Sequence, residues 1–278
     1  MTPPTARITI LVDNRANDGL EPEHGLSLWI ETRDQHILFD TGQGGVLEGN
    51  ARALGIDLRS TDTLVLSHGH YDHSGGMGTA LRHSTNIHLY CHPLTVHPRY
   101  SIKDGIPRQI HMPVESMSAM DAMPSSQLHW VQEPVWLGDG IGLTGPIPRE
   151  NHFEDSGGPF FLDPKGKRVD AIDDDMALWI RTDDGLIVCV GCSHAGLANT
   201  LSHVSHLNHG NRIRAVIGGF HLLNADDRRV EETLIALGLF GLDLLAPCHC
   251  TGERAVALMR RSLGDRVVPG AAGMVFRF

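Results

Sequence analysis

The sequence predicts an α/β protein built as a four-layer αββα sandwich. Three observations carry that expectation. Short apolar runs stop at polar loops rich in histidine. The second half alternates strand and helix patterns. The first half delivers its own strands ahead of a comparable loop, so two similar halves would stack their sheets with helices outside. One domain is expected over residues 1–278.

The elements follow in order. Arg7 to Val12 is a β-branched run. Leu26 to Glu31 alternates, and His36 to Asp40 is short and apolar, giving three strands. Gly42-Gln43-Gly44-Gly45 turns into a helical stretch from Val46 to Leu54. Thr63 to Ser67 and Ile87 to Cys91 read as further strands. From about His92 to Gly138 prolines and Met112, Met117, Met120 and Met123 interrupt any period, which predicts a lid-like or interface insertion at about 92–138. Regularity returns with strands at Ile141 to Thr144, Met176 to Arg181 and Leu186 to Val190. A helix from Ala195 to Leu207, a strand from Arg214 to Ile217 and a helix from Asp226 to Leu239 come next. A strand from Leu242 to Ala246 and a helix from Glu253 to Leu263 complete the pattern.

Composition narrows the function. A net charge of −10 argues against a nucleic-acid surface. No apolar run reaches the roughly 18 residues of a membrane span, and Met1-Thr2-Pro3-Pro4-Thr5-Ala6-Arg7 has no apolar leader core. The five cysteines, Cys91, Cys189, Cys192, Cys248 and Cys250, read as thiols of a reducing, cytoplasmic compartment. A homodimer is compatible with this composition.

The chemistry lies in His68-Gly69-His70-Tyr71-Asp72-His73, three imidazoles and one carboxylate in six residues between an apolar strand and Ser74-Gly75-Gly76. His and Asp suit zinc first, with manganese or iron as alternatives. His68 and His70 can face one ion, and Asp72 and His73 a second. The cofactor expected is therefore two divalent cations, and the reaction expected is that of a dinuclear metallo-hydrolase. Ligands in such sheets sit at the carboxyl ends of strands. Three later strand ends offer one: Gly191-Cys192-Ser193-His194, Gly218-Gly219-Phe220-His221 and Pro247-Cys248-His249. His194 and His249 are expected ligands. His221 is a ligand, or else a proton donor or substrate contact. Cys192 could ligate as a thiolate, and Asp174 is the member of Asp173-Asp174-Asp175 expected to face the site. Asp40 is expected to orient a ligand imidazole. Asp72 would hold the nucleophile, and Arg149, with Arg108 or Lys103, would grip an anionic small-molecule substrate. Cys189-Val190-Gly191-Cys192 lies in a strand, which weakens a redox-dithiol reading.

These motifs together resemble the metallo-β-lactamase superfamily. Glu23-His24-Gly25-Leu26-Ser27, Leu38-Phe39-Asp40-Thr41-Gly42, Ser67 through Gly76, Gly191 through Gly196, Gly219-Phe220-His221-Leu222 and Pro247 through Gly252 are similar to one branch. It is the 7,8-dihydropterin-6-methyl-4-(β-D-ribofuranosyl)aminobenzene-5′-phosphate synthase-like branch. The resemblance implies the αββα metallo-β-lactamase fold, two metal ions, usually zinc, and a bridging hydroxide. It implies that His68, His70 and His194 or an equivalent hold one ion, and Asp72, His73 and His249 the other. Cys192 stands where many members carry a bridging aspartate; Cys192, Asp174 or His194 fills in, or the second ion is held weakly. The expected activity is hydrolysis of a small ester, a phosphodiester or phosphate-bearing metabolite. The alternatives are a dihydropterin transferase and an iron-containing redox or non-catalytic protein. Nucleic-acid cleavage is disfavoured by the charge.

Overall fold

The computed structural model describes residues 6–84 and 86–278. The leader reading of the amino terminus falls largely outside them. The chain forms two compact units. The first takes the described residues through Gln132, together with Pro159–Asp170 and Ala271–Phe278. The second takes Glu133–Gly158 and Ala171–Gly270.

The first unit contributes β1 (Arg7–Val12), β2 (Ser27–Glu31), β3 (His36–Phe39), α1 (Leu47–Ala53), β4 (Thr63–Val65), α2 (Tyr71–Ser74), α3 (Met77–His83) and β5 (His88–Cys91). It continues with β6 (Tyr100–Lys103), β7 (Ile106–Gln109), α4 (Val114–Asp121) and β8 (Leu128–Trp130). The second unit adds β9 (Val135–Gly138) and β10 (Ile141–Leu143). The chain returns to the first unit for β11 (Phe160–Phe161). The second unit then runs β12 (Ala177–Thr182), β13 (Gly185–Val190), α5 (Leu197–Leu207), β14 (Ile213–Gly219), α6 (Asp227–Phe240), β15 (Leu244–Cys248) and α7 (Glu253–Leu263). The first unit ends with β16 (Val275–Arg277).

In the first unit a seven-stranded sheet has the order β16-β1-β2-β3-β4-β5-β8, and β11-β6-β7 form a small separate sheet. From β3 to β8 the large sheet is parallel, because helices cross between its strands. Its core packs Leu11, Trp29, Leu38, Leu64 and Leu89 with Leu47, Ala51, Met77 and Ala80 of the helices. In the second unit a six-stranded sheet has the order β15-β14-β13-β12-β10-β9, with β13, β14 and β15 parallel. The helix α5 buries Leu197, Leu201 and Val204, the spacing of one helical face, in the core that also holds Val188 and Val216 of the strands.

The segment expected to be irregular from His92 to Gly138 carries strands β6, β7, β8 and β9 and helix α4. Met112 and Met120 lie in the first unit's core, and Met117 and Met123 pack against it. No helix among the described residues is long and apolar enough to cross a membrane.

Candidate metal centre

In the first unit, β3 and β4 run parallel and end side by side, with Phe39 opposite Val65. Asp40 therefore emerges beside the loop that carries Ser67 and His68. Its backbone N–H donates to the Val65 carbonyl at 2.8 Å, and its carboxylate is fully buried. That carboxylate accepts from the Ser67 N–H and the Ser67 hydroxyl, each at 2.7 Å, and from His73 Nδ1, also at 2.7 Å. The consequence is a fixed set of tautomers. His73 donates from Nδ1, so its Nε2 keeps the lone pair. The Ser67 hydroxyl spends its proton on Asp40, so its oxygen accepts from His68 Nδ1 at 2.9 Å, and His68 Nε2 also keeps its lone pair.

His68 Nε2 lies 2.9 Å from His70 Nδ1. The ring centroids of His68 stand 4.5 Å from those of His70 and 4.3 Å from those of His73. All three rings are buried. Buried imidazoles that carry the lone pair on Nε2, one of them backed by a carboxylate, are donor chemistry that suits a divalent cation. Gly69 makes the loop possible, since a Cβ there would lie 2.1 Å from the Thr95 carbonyl oxygen.

Several partners of this loop are given no metal-site role by the sequence. Asp72 is buried, and its Oδ2 lies 3.1 Å from Nε2 of His24, an exposed residue. His70 forms a bridge with His111, and Tyr71 N–H donates to the Ile110 carbonyl at 3.0 Å, so the chain after β7 is laced to the site loop. Phe160 of β11 puts its ring centroid 5.4 Å from that of His70. Burial raises the Tyr71 phenol above its ordinary value; the negative charge of Asp72 adds to this and Arg108 opposes it. Arg108 and Lys103 lie exposed on the β6–β7 hairpin.

In the second unit the three strand ends expected to supply ligands are neighbours. Val190 pairs with Gly218, and Gly219 with Cys248, so Cys192 to His194, His221 and His249 leave adjacent parallel strands on the same edge. The buried His194 ring donates from Nδ1 to the Ser156 carbonyl at 2.8 Å, which leaves its Nε2 with the lone pair. The His221 ring lies 4.3 Å from the His194 ring. Asp174 and Asp175 are buried whereas Asp173 is exposed. Asp175, not Asp174, accepts from the Ala195 N–H at 2.7 Å. Arg149 donates to the His194 carbonyl at 2.8 Å and to the Ala171 carbonyl, so its guanidinium braces the backbone of a candidate ligand.

Backbone strain marks the same places in both units. Asp40, Ser193, His221 and His249 have φ of 58°, 55°, 44° and 46°. Residues other than glycine adopt this region at a cost and are concentrated at functional sites.

Residues 20–198 match the metallo-beta-lactamase superfamily. The 7,8-dihydropterin-6-methyl-4-(beta-D-ribofuranosyl)-aminobenzene-5'-phosphate synthase of Methanocaldococcus jannaschii is 29% identical over 92% of this chain and 90% of its own. The uncharacterized protein MJ0448 of the same organism is 31% identical over 96% of this chain and 98% of its own. The crystal structure of Tm1679, a metal-dependent hydrolase of the β-lactamase superfamily, shares 32% identity, covers 98% of both chains and gives a TM-score of 0.83. The fold is thus the α/β metallo-β-lactamase fold that the sequence predicts, and the chain belongs to the metallo-β-lactamase superfamily.

Proposed function

We propose that this protein is a metal-dependent hydrolase of a small phosphate-bearing ester. The observation that carries the reading is the hydrogen-bond chain from Asp40 through Ser67 to His68, with its branch to His73, which places the proton of two buried imidazoles on Nδ1 and the lone pair on Nε2. Such an arrangement suits a cation, whose ligand imidazoles are held in one tautomer by carboxylate and hydroxyl partners.

We assign His68, His70, Asp72, His73, His194 and His249 as the ligands, with Cys192 and Asp174 as further candidates. Two divalent cations, zinc in the first instance, would supply Lewis acidity and bring the pKa of a water down toward about 7. The protein's own residues then have defined tasks. Asp72 accepts a hydrogen bond from the attacking water and orients it in line with the phosphorus. His24, beside Asp72, keeps that carboxylate turned to its partner. Arg108 and Lys103 offer positive charge to an anionic substrate approaching the hairpin. The Ser156 carbonyl and Asp40 hold their imidazoles in one tautomer through the reaction.

The test is hydrolysis of bis(p-nitrophenyl) phosphate by zinc- or manganese-loaded protein. Exhaustive chelation is expected to abolish turnover, and His70→Ala and His73→Ala to lower it at least about 100-fold. Full activity after chelation overturns the reading. A second reading is favoured by the 29% identity to the dihydropterin synthase over nine-tenths of its length. On that reading the protein condenses a dihydropterin diphosphate with an aminobenzene ribofuranosyl phosphate. Pyrophosphate released only when both substrates are supplied distinguishes it from hydrolysis.

A further inference from the structure

The second unit contains a cluster that the ligand set above does not use as a whole. Cys192, His221 and Cys250 present donor atoms that all lie within 4.8 Å of one another. They follow β13, β14 and β15, the three adjacent parallel strands, so the sheet itself brings them together. Both cysteines are buried, at 2% and 7% exposure. Two glycines clear the space they occupy. A Cβ at Gly219 would lie 2.7 Å from Cys250 Sγ, and one at Gly157 would lie 2.0 Å from His221 Cδ2. The positive φ of His221, 44°, is a further cost accepted to hold the ring there.

We propose that Cys192, His221 and Cys250 form a thiolate-bearing site for a thiophilic cation, zinc, cadmium or copper(I). Zinc–sulfur bonds of about 2.3 Å and zinc–nitrogen bonds of about 2.0–2.1 Å put tetrahedral donors roughly 3.5–3.8 Å apart, within the spacing found. Paired sulfurs select such ions over magnesium, calcium or manganese. Two thiols lose their protons as the ion binds, and the fourth position stays open to water or a substrate group. His221 is then a ligand, not the proton donor that the sequence also allowed. The proposal does not require the hydrolase reading, although it claims Cys192, a further candidate ligand there, and the experiment below separates the two.

X-ray absorption on the zinc-loaded, full-length protein tests it. Two sulfurs per protein at about 2.3 Å are expected; one or none overturns the proposal, with no variant needed. Cobalt(II) substitution gives a second readout, a thiolate-to-cobalt charge-transfer band in the near ultraviolet. Cys250→Ser is expected to remove about half of it, Cys192→Ser with Cys250→Ser all of it, and Cys91→Ser none. A full band in Cys250→Ser overturns the proposal. Hydrolysis lost to chelation with fewer than two sulfurs sinks this inference alone. Two sulfurs with no hydrolysis sinks the hydrolase reading alone.

Discussion

Asp40 concentrates the argument at the scale of single residues. Three donors converge on its buried carboxylate, two from Ser67 and one from His73. An amide cannot accept all three and removes the negative charge. Asp40→Asn is therefore expected to weaken metal binding by roughly 10- to 100-fold and to cost about 1–3 kcal/mol of stability. Competition with a chromophoric chelator and urea denaturation measure the two effects. Unchanged affinity would remove Asp40 from the site. Gly157 makes a second case. It has φ of 83° and lies against the His221 ring, with no room for a Cβ. Gly157→Ala is expected to destabilise the protein by about 1–3 kcal/mol, and to shift the His221 ring resonances in an NMR spectrum. Asp40 could be picked out from the chain because a carboxylate ends an apolar run. The Ser156 carbonyl, His111 and Phe160 could not, because backbone acceptors and distant aromatic contacts leave no pattern in one sequence.

At the scale of elements, the helix α5 shows how a loop and a ligand share one support. It starts at Gly196 with no side-chain cap of its own. Glu154 fills that role from the loop between β10 and β11, accepting from the Ala198 N–H at 2.8 Å and the Asn199 N–H at 2.9 Å. Its negative charge meets the positive end of the helix. Asn151 and Asn199 tie the same loop to the helix, and Ser156 on that loop holds His194. Glu154→Ala is expected to cost about 1 kcal/mol, within a range of roughly 0.5–2, and to loosen His194, seen as a lower midpoint in thermal unfolding and a faster loss of metal. No change in either would detach the loop from the ligand. This coupling was hidden in the sequence, where Glu154 is one acid among 33. The regular elements that were legible are mostly buried apolar or β-branched runs bounded by turns, and helices with an amphipathic period. Strands β8 and β16 have three residues each, and β6 and β7 have four each, mostly exposed or polar, too little for a period to stand out.

For the molecule as a whole, the sequence disclosed the fold class because parallel strands leave a repeated signature: an apolar run, a polar turn with glycine, then a helix. It also disclosed which strand ends carry imidazoles. It did not disclose how the chain is partitioned. Met112 and Met120, seen in the sequence only as part of an aperiodic stretch, belong to the first unit's core, because burial of a single apolar residue in irregular chain has no periodic trace. The −10 charge sets an expectation for substrates as well. Anionic molecules approach against the overall field, so cationic groups close to the centre must supply the local attraction.

The pairing of β1 with β16 reaches beyond the finished protein. Arg7 faces Arg277 and Ile8 faces Phe276 in an antiparallel ladder. On the ribosome, β1 leaves the exit tunnel long before its neighbour is translated, and it waits with one edge bare. Arrested nascent chains released short of Val275 are expected to be cut readily by protease within the first unit, whereas chains carried past Phe278 should resist. Equal resistance in the two would show that the nascent sheet is secure without its final strand.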